Sequence, residues 1–502
     1  RIPRLCLVTR GAQLVQTDFH PVQAQQTALW GLGQVISLEY PDLHCLRVDL
    51  DPSTGSDAVA NLFEAIRGVA KEDRIAYRQD VPYSARLART DYPVNGQSAP
   101  IRKDGSYLIT GGLGALGLKV ADWLAERGAG HLVLVGRRAP GEAARSEIDR
   151  LLQAGIRVTI AQADISEPGD VARVLATVEA TEYPLRGVVH AAGVLDDGLL
   201  QGQDWDRFSK VMAPKVAGAW NLHDGTRELE LDFFVCFSSI TALLGAGGQG
   251  NYAAANAFMD GLAQHRRSSG LPGLSINWGP WGEVGMIAAL DQRDWERWVG
   301  QGFGSIEPAQ GVAILDRLLA REDSSQAAVL PIDWSLYLQQ FRNGASTSFF
   351  EAIEPIDKEP KSTLPRGKFL EQLQSTPSAK QREVLVAYVR AQIGKVARLQ
   401  AVEQIQPRQR LFDLGLDSLM AVELKDSLQS DLGRNLSATL VFDYPTIEAL
   451  GDHLYGDILG LAQEAQEEPE VYVGEEDLTD LEDLSREEIG ALLDEKLSEL
   501  DL

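Results

Sequence analysis

One glycine-rich octapeptide constrains this chain more than any other feature. Thr110-Gly111-Gly112-Leu113-Gly114-Ala115-Leu116-Gly117 follows a short apolar run, Tyr107–Thr110, and opens a helical pattern. Glycine is needed where a backbone turns tightly and lets an anion approach the unsatisfied N–H groups of a helix start. The motif alone is weak, so its context decides. Apolar runs recur at Leu132–Val135, Val158–Ala161, Gly187–His190, Phe233–Ser238 and Leu274–Asn277, with helical stretches between them. That rhythm predicts a doubly wound parallel α/β sheet, with Thr110, Gly111, Gly112, Leu113, Gly114 and Gly117 holding the pyrophosphate of a dinucleotide.

The second run ends Val135-Gly136-Arg137-Arg138. An acidic residue there would bind a ribose 2′-hydroxyl, whereas Arg137 and Arg138 offer charge to a 2′-phosphate, so NADPH is expected over NADH. Two exposed loop arginines are the plainer alternative. Asp164, after the third run, and Ala191, Ala192 and Gly193, after the fourth, fall at cofactor-contact positions or are ordinary strand-end chemistry.

Phe237-Ser238-Ser239 ends the fifth run, and Tyr252 lies 13 residues beyond Ser239 in Asn251-Tyr252-Ala253-Ala254-Ala255-Asn256. This pattern resembles the short-chain dehydrogenase/reductase superfamily, and more closely the ketoreductase domains of modular polyketide synthases. The resemblance implies a Rossmann-type reductase of two subdomains. It departs from the wider superfamily at Asn256, where lysine is usual; in ketoreductases the lysine comes from a preceding helix, and Lys215 in Ala213-Pro214-Lys215-Val216 matches that position. The catalytic set is then Lys215, Ser239, Tyr252 and Asn256. Tyr252 protonates a ketone oxygen, Ser239 hydrogen-bonds that oxygen, and Asn256 orders the ribose or a relay water. A nearby Lys215 ammonium is expected to pull the phenol pKa down from about 10.

Leu195-Asp196-Asp197 resembles the loop signature of B-type ketoreductases, which set a D-configured hydroxyl. Leu244 stands where the A-type carries tryptophan, and Gly247 stands where a proline marks the epimerising subtype. The pair of aspartates reads equally as a helix N-cap. Gly279-Pro280-Trp281-Gly282 and the segment through Met286 to about Gly300 resemble a substrate lid.

Downstream, Leu411-Phe412-Asp413-Leu414-Gly415-Leu416-Asp417-Ser418-Leu419, together with Phe442-Asp443-Tyr444-Pro445-Thr446, carries an acyl carrier signature. Ser418 is the implied attachment point of 4′-phosphopantetheine, at a helix start that favours phosphate. From residue 461 to 502 there are 16 acidic and 2 basic residues, a net of −14 out of −25 for the chain. Within that tail Ser485-Arg486-Glu487-Glu488 is a capping box, and Ile489, Leu492, Leu493, Leu497 and Leu500 form one apolar stripe. The stripe resembles a docking segment for the next synthase polypeptide; the alternative is a helix folded back on its own carrier.

The expected organisation is a truncated structural subdomain at 1–98, a catalytic subdomain at 99–342 and a linker at 343–380, in which Pro355, Pro360, Pro365 and Pro377 block long helices. A small all-α carrier bundle at 381–456 and an acidic spacer with docking helix at 457–502 complete it. The chain reads as a piece of a longer, homodimeric synthase, with upstream domains on the same polypeptide and a β-ketoacyl thioester as substrate. A net charge of −25 argues against nucleic acid, and no apolar run reaches membrane-span length. Cys6, Cys45 and Cys236 lack metal or disulfide spacing, which suits a reducing cytoplasm and no metal site. The rivals are a non-catalytic scaffold module and a nucleotide-sugar epimerase-type enzyme.

Overall fold

The structure is a computed structural model. It describes residues 3–461 apart from 16–19, 54–56, 69–71, 91–98, 100, 283–297, 322–323, 340–347, 354–368, 371–372, 374, 398–404, 415, 417, 435 and 438–439. Residues 283–297 of the expected lid and the acidic tail with its apolar stripe, from residue 462 on, therefore lie outside the described residues.

The amino-terminal unit is a four-stranded sheet in sequential order: β1 (Cys6–Arg10), β2 (Leu46–Leu50), β3 (Arg74–Arg78) and β4 (Val81–Ser84). The first three are parallel, and β4 returns antiparallel across Gln79-Asp80, both in left-handed backbone. That hairpin was not anticipated, because Gln-Asp is not among the favoured tight-turn pairs. Helices α1 (Ala24–Glu39) and α2 (Ala58–Arg67) complete this unit.

The second unit is a seven-stranded, all-parallel sheet. Along the chain it runs β5 (Ser106–Thr110), α3 (Ala115–Glu126), β6 (His131–Gly136), α4 (Glu142–Gln153), β7 (Arg157–Gln162), α5 (Pro168–Glu179) and β8 (Leu185–His190). It continues through α6 (Trp205–Met212), α7 (Gly218–Thr226), β9 (Phe233–Ser239), α8 (Thr241–Leu244), α9 (Gly250–Ser268), β10 (Leu274–Trp278), α10 (Pro308–Leu319) and β11 (Gln326–Val329). The spatial order β11-β10-β9-β8-β5-β6-β7 reverses between β5 and β8, and such a switch point opens a crevice at the strands' carboxyl ends. Helices cover both faces, so alternate residues of one strand feed opposite cores: Leu132 and Leu134 pack on one side of β6, Val133 and Val135 on the other.

α1 lies directly against α9 and joins the two units. A side chain at Gly31 would come within 2.3 Å of the Ala253 carbonyl, and one at Gly261 within 2.4 Å of Thr27. Thr27 Oγ1 donates to the Ala257 carbonyl at 2.8 Å, and Gln34 Nε2 to that of Leu244 at 3.1 Å. Strands β5 to β10 match the runs foreseen in the sequence to within two residues at each end, whereas the edge strand β11 was not foreseen. Ser348, Phe349 and Phe350, assigned to the linker, are instead buried with Trp334, Tyr337, Ile240 and Leu244, because two adjacent aromatics are too apolar to remain in solvent. The carrier helices are α12 (Ser378–Val396), α13 (Ser418–Leu432), α14 (Leu440–Asp443) and α15 (Ile447–His453), following α11 (Trp334–Gln339). Their core of Leu385, Val389, Leu411, Leu424, Leu428 and Leu450 also takes in Leu373, within the expected linker.

Candidate active site

The glycine-rich turn does what the backbone argument requires. Gly111 has φ +68°, and a Cβ there would meet the Ala191 carbonyl at 3.0 Å. A Cβ on Gly117 would lie 2.3 Å from the Gly111 carbonyl, so that glycine seats α3 against the turn. Thr110 Oγ1 lies 2.7 Å from His190 Nδ1 and accepts from Ala192 N at 3.3 Å, which locks the ends of β5 and β8 side by side. Burial first, and the Lys215 ammonium second, hold the His190 pKa down at about 3, so that imidazole is neutral.

A cleft opens at this switch point. It is lined by Thr110, Gly111, Arg137, Asp164, Ala192 and Gly193 among the residues singled out from sequence, with Val135, Gly136, Ala163, Ile165, Val194 and Pro214 added. The anticipated residues Gly112, Leu113, Gly114, Gly117, Arg138 and Ala191 do not line it. Gly112 packs under Leu134, Leu113 packs on Gly136, and Gly114 precedes the first residue of α3. Arg138 is exposed beside Arg137. Part of the Asp164 carboxylate is engaged locally, accepting from Ser166 N at 3.0 Å and Ser166 Oγ at 2.7 Å. The residues present fit a dinucleotide: Gly111, Gly136 and Gly193 give the cleft a floor without side chains, and Arg137 stands in its lining.

Lys215 sits in a π-helical turn, Ala213–Ala217, wedged between α6 and α7 at Pro214. Such widened turns recur at functional sites because they re-aim one side chain. The side chain is 3 % exposed, and its Nζ donates to the Phe237 carbonyl at 3.1 Å and to Asn256 Oδ1 at 3.0 Å. Nζ lies 5.1 Å from the centre of the Tyr252 ring. A side chain at Gly193 would come within 2.8 Å of Lys215 Cε, so this glycine leaves the lysine its path. Asn256, one helical turn beyond Tyr252 on α9, donates to the Tyr252 carbonyl at 2.8 Å.

Burial dominates the protonation of this group. It lowers the Lys215 pKa to about 8 and raises that of Tyr252 to about 12, the latter opposed only in part by the Asn256 and Ser239 side chains. The sequence led to the opposite expectation for Tyr252. The ring is buried with Val211 and Ala255, and desolvation of a phenolate there, with the Asp197 carboxylate acting in the same direction, outweighs those two hydrogen bonds. The phenol is therefore protonated near neutral pH, the state that a proton donor needs.

Asp196 forms ion pairs with Arg207 at 2.8 Å and Lys210 at 2.7 Å, which hold its carboxyl below the usual range. Asp197 accepts from Gln249 Nε2 at 2.9 Å, and Leu195 packs against the cluster of Val211, Tyr252 and Ala255. Neither aspartate caps α6; Asp204 does, accepting from Arg207 N at 2.9 Å. In the carrier bundle, Ser418 is the first residue of α13, and Leu411 and Leu416 before it are buried.

Comparison with known proteins places these features. Residues 105–283 match the family described as KR domain, and residues 387–454 match the family described as phosphopantetheine attachment site. The polyketide synthase GfsA of Streptomyces halstedii is 35% identical over 92% of this chain, and the pikromycin synthase component PikAIII of Streptomyces venezuelae is 34% identical over 91%. A solved structure of A-type ketoreductases from a modular polyketide synthase superposes with TM-score 0.65 at 38% identity, covering 70% of this chain and 73% of that one. The chain belongs to the ketoreductases of modular polyketide synthases. It spans 6% of the length of GfsA and 30% of that of PikAIII.

Two features of this ketoreductase were missed in the sequence. Asp260 continues the line Tyr252, Asn256 along α9, and its buried carboxyl accepts from Ser275 Oγ at 2.5 Å and Asn277 Nδ2 at 2.8 Å. Asn277 Nδ2 also donates to Ser238 Oγ at 3.0 Å and to the Ser239 carbonyl at 3.1 Å, so one network backs the end of β9. The four-residue spacing of Tyr252, Asn256 and Asp260 was the available signal. The π-helical turn gave none beyond Pro214. Among the described residues no cluster suited to a metal ion occurs, and no helix is long and apolar enough to cross a membrane.

Proposed function

We propose that this chain reduces a carrier-tethered β-ketoacyl thioester to the D-configured β-hydroxyacyl thioester with NADPH. The observation that carries the reading is Lys215 bonded to Asn256 and set beside a protonated Tyr252, next to the glycine-floored cleft. The Gly111 turn, the start of α3, Arg137 with Arg138, Asp164 and the Ala192-Gly193 segment would hold the cofactor. When bound, NADPH supplies the hydride that the carbonyl carbon takes up. Tyr252 gives its phenolic proton to the ketone oxygen, and Ser239 hydrogen-bonds that oxygen as it gains charge. The Lys215 ammonium then stands by the ring that has lost its proton, fixed there by Asn256.

Leu195, packed against the cluster of Val211, Tyr252 and Ala255, supports the D configuration, together with Leu244 and Gly247 at the two positions that mark other types. Solved relatives include A-type and C2-type ketoreductases at 38% and 29% identity, so this assignment rests on the loop itself. Ser418, first in α13, would carry 4′-phosphopantetheine, and the acidic tail with its apolar stripe would pass the chain to a downstream polypeptide. The test is NADPH oxidation by a diketide β-keto thioester, with chiral chromatography of the product. An R alcohol from an unsubstituted chain is expected; an S product overturns the configuration, and no oxidation overturns the reductase reading. Ser418 should gain the phosphopantetheine mass from coenzyme A and a transferase, and Ser418→Ala should not.

A further inference from the structure

Glu39 closes α1 in the subdomain that lacks any glycine-rich turn, yet its side chain serves the other subdomain. Its Oε2 accepts from Leu200 N at 2.7 Å and its Oε1 from Gly248 N at 2.8 Å. The residue is 3 % exposed, and burial pushes its carboxyl pKa up. The position is doubly unfavourable for an acid, because the carboxyl end of a helix repels negative charge and the interior desolvates it. Nothing in the stability of α1 asks for glutamate here.

The two donors identify what it serves. Leu200 ends the loop that carries Leu195-Asp196-Asp197, and Gly248 lies four residues before Tyr252. These loops also meet each other, with Gly198 N donating to the Gly248 carbonyl at 2.7 Å and Gln249 Nε2 to Asp197 at 2.9 Å. The second loop, Gly245-Ala246-Gly247-Gly248, has Gly245 and Gly248 at positive φ, and a side chain on Gly247 would meet nothing within 4 Å. So glycine-rich a segment has little packing of its own and a large entropy to lose, and it keeps one shape only when tied from outside. A carboxylate ties both loops because each oxygen takes one N–H; an amide has a single acceptor oxygen and turns its NH₂ against the other donor.

Building on the reductase reading above, we propose that Glu39 is a positioning residue: it pins the two loops that flank Tyr252 and thereby sets which side of the site the acyl thioester approaches. The readout is the enantiomer ratio of the alcohol formed from a diketide thioester by the full chain, which does not depend on how much of a preparation is active. Glu39→Gln and Glu39→Ala should leave the NADPH dissociation constant within about twofold of wild type, since neither loop lies on the glycine turn. Each should raise KM for the thioester and enrich the minor enantiomer by roughly tenfold, the factor that one charge-assisted hydrogen bond supplies. An unchanged enantiomer ratio in Glu39→Gln overturns the proposal. So does loss of NADPH binding in Glu39→Gln, because the carboxylate would then support the fold rather than substrate approach. A wild-type chain that makes the S alcohol removes the D assignment but leaves this comparison intact, and a wild-type chain that oxidises no NADPH removes the reductase reading itself.

Discussion

Replacing Lys215 with methionine separates the stability of the ketoreductase from its chemistry. The ammonium hydrogen-bonds two neutral acceptors, the Phe237 carbonyl and Asn256 Oδ1, and burial, opposed in part by Cys236 and Asp260, lowers its pKa from 10.5 to about 8. At about 1.4 kcal/mol per pKa unit, carrying that charge in the folded state costs roughly 3 kcal/mol. The folded pKa lies below the unfolded one, so below pH 8 both states hold the proton and the cost is present in full. Between about pH 8 and 10.5 the unfolded chain keeps its proton while the folded chain releases it, and stability rises with pH on that account. Methionine cannot titrate and has nearly the same length. Its substitution removes the charge penalty but strips a donor from two buried oxygens, at about 1–3 kcal/mol. Near neutral pH the two effects offset, so Lys215→Met should unfold within about 2 kcal/mol of wild type while reduction falls by at least about 10². Urea unfolding of the cofactor-free chains, from neutral pH to about 10.5, is the decisive assay. Wild type should gain roughly 3 kcal/mol on the variant over that range. Parallel stability curves would refute the reasoning, because the folded state would then hold the ammonium without penalty.

Tyr252→Phe keeps the buried ring and removes only the hydroxyl, so NADPH binding should persist while turnover falls by roughly 10²–10⁴; near-normal turnover in the folded variant excludes Tyr252 as the donor. Arg137→Asp, at the rim of the cleft, should weaken NADPH by about tenfold to a hundredfold and NADH far less, as loss of one charge-assisted contact of roughly 1.5–3 kcal/mol requires. Equal weakening of both cofactors in steady-state kinetics would remove the 2′-phosphate role. Gly31→Ala places a methyl group 2.3 Å from the Ala253 carbonyl, so it should destabilise the chain by roughly 1–3 kcal/mol and displace the helix bearing Tyr252. A melting temperature equal to wild type would show that α1 and α9 separate freely.

The sequence alone determined the class of sheet, the glycine turn, the residue types at reactive spacing and the helix that begins at Ser418. These are local facts. A parallel strand covered on both faces must be apolar throughout, as Leu132–Val135 is, and a tight turn beside a helix start must be glycine. Periodicity then puts Tyr252 and Asn256 on one helix face whatever else the chain does. Where local rules were permissive the reading slipped: Gln79-Asp80 hid a hairpin, and Phe349 and Phe350 were left in a linker. Only the tertiary structure decided the protonation of the site. Desolvation depends on everything packed around a group, so a lysine and a tyrosine close together ended with pKa values of about 8 and about 12, against the pairwise expectation for the phenol. Tertiary structure alone also brought Glu39 to N–H donors 161 and 209 residues away along the chain. A glutamate closing a helix looks like a solvated end until the second subdomain packs over it, because a hydrogen bond across that distance has no periodicity to betray it.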